Sequence, residues 1–319
     1  MRLLESRFLC DDPPWRDAHA ASIAWTPSGL VAAWFAGSKE GRPDVAIWLA
    51  RTEGERWGPP ARLFEGRDGL GRPQPCWNPV LFRSATGRLL LFYKVGPRPR
   101  RWWGMLATSE DDGIGWSRPR RLPDGIFGPV KNKPLEPAPG VLLCGSSSEL
   151  LGWRCQVERS DDLGASWRRP IVLNHPFASL PGGFKANQAT LVDQGGGRLL
   201  ALCRTKQGFI AQCRSLDGGA SWSRMQPMPI PHPNSAFDAQ RLADGRFVLV
   251  HHPGTQGRST LLLSLSEDGE HFRERLVLED EPGQEFSYPF LLQAPDGLLH
   301  LVYSWKRRTI RHLVLEPEA

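Results

Sequence analysis

Lysine is scarce in this chain. Only seven of its 40 basic residues are lysine, and the remainder are arginine. Tyrosine is scarcer, with three copies in 319 residues. No stretch approaches the roughly 18 consecutive apolar residues of a membrane-spanning helix, so no membrane partner is expected. The first residues, Met1 to Arg7, lack the apolar core and cleavage pattern of a secretory signal. The six cysteines, Cys10, Cys76, Cys144, Cys155, Cys203 and Cys213, form no CxxC pair. They read as buried free thiols in a reducing compartment, and a cytoplasmic location is expected. A zinc signature, a phosphate-cradling glycine loop and a GxSxG elbow are all missing, so neither metal nor organic cofactor is expected. The net charge is +6. Yet only Arg98 to Trp103 interleaves arginine with aromatics, and it reads as an exposed loop rather than a nucleic-acid surface.

Glycine, proline and tryptophan are plentiful: 33, 29 and 13 copies. Three tryptophans close an eight-residue pattern, Ser-x-Asp-x-Gly-x-x-Trp. It occurs as Ser109/Asp111/Gly113/Trp116, Ser160/Asp162/Gly164/Trp167 and Ser215/Asp217/Gly219/Trp222. A copy one residue short is Ser266/Asp268/Gly269/Phe272, and a remnant, Gly54 and Trp57, lies between Arg51 and Trp57. Ser and Asp side chains bond the N–H groups of a tight reversal, Gly accepts φ > 0, and Trp packs back over the turn. The pattern is a scaffold and requires no catalysis from its aspartates.

A second repeat runs in phase with the first. A turn glycine precedes a short apolar strand at Gly29, Gly87, Gly140, Gly197, Gly245 and Gly297, at intervals of 48 to 58 residues. Another strand-like run lies before each, as in Pro79–Phe82, Ala189–Val192 and Pro289–Leu292. Each unit is strand, turn, strand, strand, Ser/Asp turn, strand. Four strands per unit and six units predict an all-β, six-bladed β-propeller occupying residues 1–319 as a single domain. Blade six runs out of chain near Leu313, so one blade should combine strands from opposite chain ends.

In such a ring the start of each first strand and the end of each second strand face one mouth. That register places His19, Asn78, Lys131, Lys133, Gln188 and Tyr288 there, and also Glu40, Asp44, Glu149, Arg204, Arg258 and Arg307. All seven lysines and all three tyrosines map to it, predicting a cationic funnel that attracts anions. Asp44 and Glu40 are the acid/base candidates, since an enclosed carboxylate with a raised pKa can protonate a leaving oxygen. Tyr288 is a candidate nucleophile, with Glu149, or the nearer Glu285, to take its proton. Arg204 and Arg258 can bind a carboxylate through their forked donors.

These residues resemble the sialidase (neuraminidase) superfamily of Asp-box, or BNR-repeat, propellers, in its divergent branch. The resemblance covers essentially the whole chain. Asn187 to Val192 followed by Gly197 to Arg204 is similar to the segment ending in a substrate-carboxylate arginine. Arg258 resembles a second arginine of that triad, Tyr288 the nucleophile and Asp44 the acid/base aspartate. Gln188 stands near a glutamate of some relatives. The place of the first arginine reads Ala18-His19-Ala20-Ala21-Ser22-Ile23, which leaves His19, or the Arg307–Arg308 pair, as third cation. The resemblance implies a retaining exo-glycosidase that uses a tyrosine nucleophile. Its partner would be a glycan ending in an acidic sugar: sialic acid, or a Kdo-type or uronic acid residue. Two other classes fit the same residues: a polysaccharide lyase with Tyr288 and His19 as base and acid, and a glycan-binding propeller without turnover.

Overall fold

The computed structural model describes residues 1–150, 152–174 and 183–318. They fall into two compact units, Met1–Val130 with Phe290–Ala319, and Lys131–Pro289. Both are built from antiparallel sheets whose neighbouring strands are joined by short turns. In the first unit, one sheet orders Asp17–Thr26, Gly29–Gly37, Ala46–Glu53 and Arg56–Trp57, with Ala61–Phe64 also on the third strand. The next orders Cys76–Arg83, Leu89–Val95, Trp103–Ser109 and Arg120–Arg121. The second unit holds three sheets. They begin with Leu135–Ala138, Ala186–Gly195 and Asp238–Arg241 and end with Ile171–Val172, Gln226–Pro231 and Arg273–Asp280. The sixth sheet orders Phe286–Gln293, Leu299–Trp305, Thr309–Glu316 and Arg2–Phe8. Its outermost pairing, Arg2 opposite Glu316, joins the two ends of the chain as expected.

Period-two alternation sets the packing. Along Arg198–Thr205, Leu199, Ala201 and Cys203 are buried with Leu143 and Val157 of the preceding sheet. Leu200 and Leu202 point the other way, against Phe237 and Leu249 of the following one. A strand covered on both faces needs apolar residues at every position, which explains the unbroken Leu-Leu-Ala-Leu run. Each fully buried leucine stabilises by about 1.5–3 kcal/mol.

The Ser/Asp turns link third strands to fourth. In the three full copies the Ser hydroxyl donates to the Asp carboxylate at 2.7–2.8 Å and accepts the Gly N–H at 2.7–2.9 Å. The Trp indole N–H then donates to that glycine's carbonyl at 3.0–3.2 Å. Two consecutive residues have positive φ, Leu163 (52°) and Gly164 (87°) in the second copy. The short copy keeps the Ser266 and Asp268 bonds. The remnant does not: Trp57 donates to His312 instead. Asp162→Ala removes the carboxylate that holds Ser160 and Ser166. It is expected to cost about 1 kcal/mol in chemical denaturation while leaving turnover of the folded fraction unchanged. A large loss of turnover at unchanged stability would refute the scaffold role.

One further repeat positions the site. Ala20, Asn78, Gln188 and Tyr288, near the starts of four first strands, have positive φ of 52°, 39°, 52° and 57°. Strand register slips at the first three, between His19 and Ser22, across Trp77 and Val80, and between Asn187 and Thr190. These are β-bulges, which turn a backbone N–H off the ladder. The freed N–H needs another acceptor. Ser304 supplies it to Ala20 at 3.0 Å, and Ser147 to Gln188 at 3.3 Å. Left-handed backbone at non-glycine residues is strained and concentrates at functional sites.

Candidate active site

The second unit gathers one group of predicted residues around Tyr288, which is half-buried at its left-handed position. The Gln188 side-chain N–H donates to the phenol oxygen at 3.3 Å. The other end of the same amide, Oε1, accepts from Arg204 Nη1 at 3.0 Å. Arg204 also lies within electrostatic reach of Tyr288. Its remaining donors go to Asn234: Nε to the side-chain oxygen at 2.7 Å and Nη2 to the backbone carbonyl at 3.0 Å. That carbonyl accepts Arg258 Nη2 as well, also at 3.0 Å. Two guanidinium groups are therefore drawn together on one backbone oxygen. Glu285 accepts Arg258 at 3.1 Å and the Ser287 hydroxyl at 2.6 Å. Glu149 accepts from Asn187 at 3.3 Å.

Arg204 is only 7 % exposed. Burial pushes its guanidinium down from the ordinary value; the Tyr288 oxygen and Glu149 charge oppose that, and the Arg258 charge adds to it. The indole of Trp153 covers the group, with Arg204 Cζ 5.3 Å and Lys206 Nζ 4.2 Å from its ring centre. A cavity of about 600 Å³ opens beside Arg258, lined by Asn234, Thr255, Gln256, Ser259 and Glu285.

The first unit gathers a second group. Lys306 and Arg307 take φ of 52° and 56° in the hairpin turn between Leu299–Trp305 and Thr309–Glu316. The turn aims Arg307 at Glu40 (2.6 Å) and Asp17 (3.2 Å), with His19 Nε2 at 3.5 Å. A guanidinium only donates, so His19 accepts there through a neutral ring nitrogen. Arg307, a candidate for the third carboxylate-binding cation, is thus already paired with two carboxylates. Asp44 is exposed and accepts from Ser38, N–H at 2.7 Å and hydroxyl at 2.8 Å. Slight burial raises its carboxyl, but the Ser38 bonds, its own backbone and Arg62 outweigh this and hold it below the usual value. The raised value sought in a proton donor is therefore not found at Asp44.

Other expectations need correction. The cationic funnel does not contain all seven lysines. Lys94 is fully buried and donates to the Pro129 carbonyl. Lys131, 3 % exposed, donates to Asn132 (2.6 Å), to the Phe237 carbonyl (3.3 Å) and to the Pro289 carbonyl. Burial pushes its ammonium down to about 7, against the pull of Asp238 and with the push of Lys133. Lys133 is half-buried and pairs with the buried Asp238 at 2.9 Å. Lys131 thus serves as a cross-brace rather than a substrate contact. Asn78, also buried, donates to the Val130 carbonyl at 3.1 Å. Of the tyrosines, Tyr93 and Tyr303 are fully buried, which leaves Tyr288 as the half-exposed one. Asp17, Trp153 and Asn234 were not anticipated. The nearest signal for Asn234 was its place after His232-Pro233 at a first-strand start. All six cysteines are free. Among the described residues no cluster of His, Cys, Asp and Glu is placed to hold a metal, and no helix is long and apolar enough to cross a membrane.

Residues 28–301 match the BNR repeat-like domain. An anhydrosialidase of Macrobdella decora is 27% identical over 237 residues, 63% of this chain and 30% of that protein. The chain therefore spans less than a third of that relative's length. Among solved structures, a Dyadobacter fermentans protein of unknown function superposes with a TM-score of 0.82 at 17% identity, over 99% of both chains. A leech intramolecular trans-sialidase, complexed with 2,7-anhydro-Neu5Ac, gives 0.73 at 16% identity, over 99% of this chain and 70% of that one. The Ruminococcus gnavus intramolecular trans-sialidase, with oseltamivir carboxylate, gives 0.72 at 17% identity, over 94% of each. Together with the strand order, these likenesses establish the six-bladed β-propeller fold.

Proposed function

Because this chain belongs to the BNR repeat-like domain family, in a sialidase-like branch, we propose that it is a glycoside hydrolase that releases a terminal acidic sugar from a glycan. The sialidase-type relatives support the glycosidase class, and the Tyr288 group supports the chemistry. The observation that carries the reading is the convergence of Arg204 and Arg258 on Asn234, with Tyr288 joined to the first of them through the Gln188 amide. Two forked cations suit a sugar carboxylate. A phenol suits the reacting atom, because an anionic substrate would repel a carboxylate nucleophile.

In this scheme the Tyr288 proton passes to Glu149, and the phenol oxygen bonds to the anomeric carbon as the glycosidic bond breaks. Water then displaces the tyrosine and releases the sugar with retention. Donors and positive charge beside an oxygen stabilise it while it carries negative charge; the Gln188 N–H is aimed at the phenol oxygen, and the Arg204 charge lies nearby. Glu285 is assigned to holding Arg258, since it already accepts from that arginine and from Ser287. The proton for the leaving oxygen is assigned to Asp44 or Glu40, a choice carried by the sequence reading alone.

A panel of fluorogenic glycosides tests this. Acidic glycosides are expected to be cleaved and neutral ones left intact. Arg204→Lys replaces the fork with a point charge and should raise KM about tenfold to a hundredfold, the range for one or two hydrogen bonds to a charged group. Equal cleavage of neutral glycosides, or an unsaturated ultraviolet-absorbing product, would sink the proposal.

A further inference from the structure

Behind the arginine pair lies a buried polar chain whose hydrogens can be assigned from chemistry alone. His252 is 1 % exposed. Its Nε2 lies 2.6 Å from the backbone carbonyl of Phe286. A carbonyl only accepts, so Nε2 carries the hydrogen. Its Nδ1 lies 2.7 Å from the hydroxyl of Ser235, also buried. In a neutral ring Nδ1 is then the acceptor, and the hydroxyl donates. Burial favours this neutral form: it pushes the ring down to about 4, with Arg258 and His251 adding to the shift and the Phe286 bond and Glu285 opposing it. His251 is fixed in the same way, donating from Nδ1 to the His252 carbonyl at 3.2 Å and accepting from Ser264 at 3.0 Å.

The two ends of this chain are the two halves of the Tyr288 group. Ser235 directly follows Asn234, whose oxygens hold Arg204 and Arg258. Phe286 lies two residues before Tyr288, and its own N–H donates to the Arg258 carbonyl at 2.9 Å. We propose that Ser235 and His252 are positioning residues, a buried two-link tie that fixes the distance between the carboxylate-binding arginines and the Tyr288 oxygen. The tie rests on the proposed glycosidase reading for its purpose but not for its existence. A neutral imidazole is suited to it, since it bridges a donor and an acceptor on opposite sides of its ring without placing another charge beside two guanidinium groups. The group faces Arg258, Glu285, His232 and His251, and an added proton on Nδ1 would meet the Ser235 hydroxyl in place of a lone pair.

The tie is tested with a readout that needs no substrate. In nitrogen-15 spectra of the full chain, the Arg204 Nε–H, bonded to Asn234 at 2.7 Å, should give a resolved, slowly exchanging signal. Ser235→Ala and His252→Leu are expected to shift or broaden it, and His252→Gln, which keeps one acceptor and one donor, to restore it. On a cleaved acidic glycoside, His252→Leu should raise KM and lower kcat together, each about tenfold, as for one lost buried hydrogen bond in a network, with His252→Gln recovering most of both. If His252→Leu does not fold, Ser235→Ala and His252→Gln carry the comparison. An unchanged Arg204 signal in Ser235→Ala, or a His252→Gln no better than His252→Leu, overturns the tie. A wild-type protein that shows the signal and cleaves no acidic glycoside would instead overturn the glycosidase reading and leave the tie standing.

Discussion

Tyr288→Phe is expected to lower kcat at least about a hundredfold, the lower end for losing one positioned catalytic group, with KM and melting temperature little changed. The substitution keeps the ring and deletes one oxygen. That oxygen accepts from Gln188, which keeps its bond with Arg204, and Arg204 keeps Asn234. The left-handed backbone persists as well, because the Phe side chain meets the same constraint at φ 57°. Tyr303→Phe is the control. Tyr303 is fully buried, so its loss should register in stability and not in kcat. Stopped assays with purified variants, alongside thermal melts, read both quantities. Turnover within a few-fold of wild type in Tyr288→Phe would remove the nucleophile and favour a mechanism in which water attacks directly.

Acid should destabilise the protein well above the carboxylate range. His232, His251, His252, His300 and His312 are all buried, and desolvation lowers every one of them. His251 and His252 fall to about 4 and His312 to about 3. An unfolded histidine takes its proton near 6.5. Below that pH the unfolded chain binds more protons than the folded one, so stability falls as pH falls. The contribution is complete above about 6.5 and drains away through about 4. At pH 5 one such histidine costs about 2 kcal/mol, and two or three acting together would remove much of the 5–15 kcal/mol of an ordinary domain. The Ser/Asp turns do not share this window: hydrogen bonds from Ser221 and Ser215 hold Asp217 down to about 2. His271, exposed and raised by Asp268, has the opposite sign and is screened by water. Calorimetry from pH 8 to pH 4.5 should show the melting temperature flat above pH 7 and falling steeply below 6. A flat curve down to pH 4.5 would contradict the account.

The turns could be read from sequence because each is a self-contained grammar of eight residues, with its donors, acceptors and glycine all local. The strands could be read because burial on both faces leaves an unbroken apolar run. The left-handed position of Tyr288 leaves a faint mark, since Asn78 and Tyr288, which share it, both precede proline. What stayed hidden depends on distance or on the main chain. Gln188 and Tyr288 are 100 residues apart. Asn234 acts largely through a carbonyl oxygen that every residue possesses. Lys131 looked like a loop cation because composition does not reveal whether an ammonium ends in water or on three acceptors inside the protein.

The pairing of Arg2–Phe8 with Thr309–Glu316 bears on how the chain is made. Arg2–Phe8 leaves the ribosome well before it can find its place, because its partner strand is synthesised some 300 residues later. Until then the segment Arg2–Phe8 must wait unpaired while the sheets between are completed in order from local hairpins. The sixth sheet is therefore a slow step by topology: its inner three strands are neighbours in sequence, and its outer one closes a loop of about 300 residues.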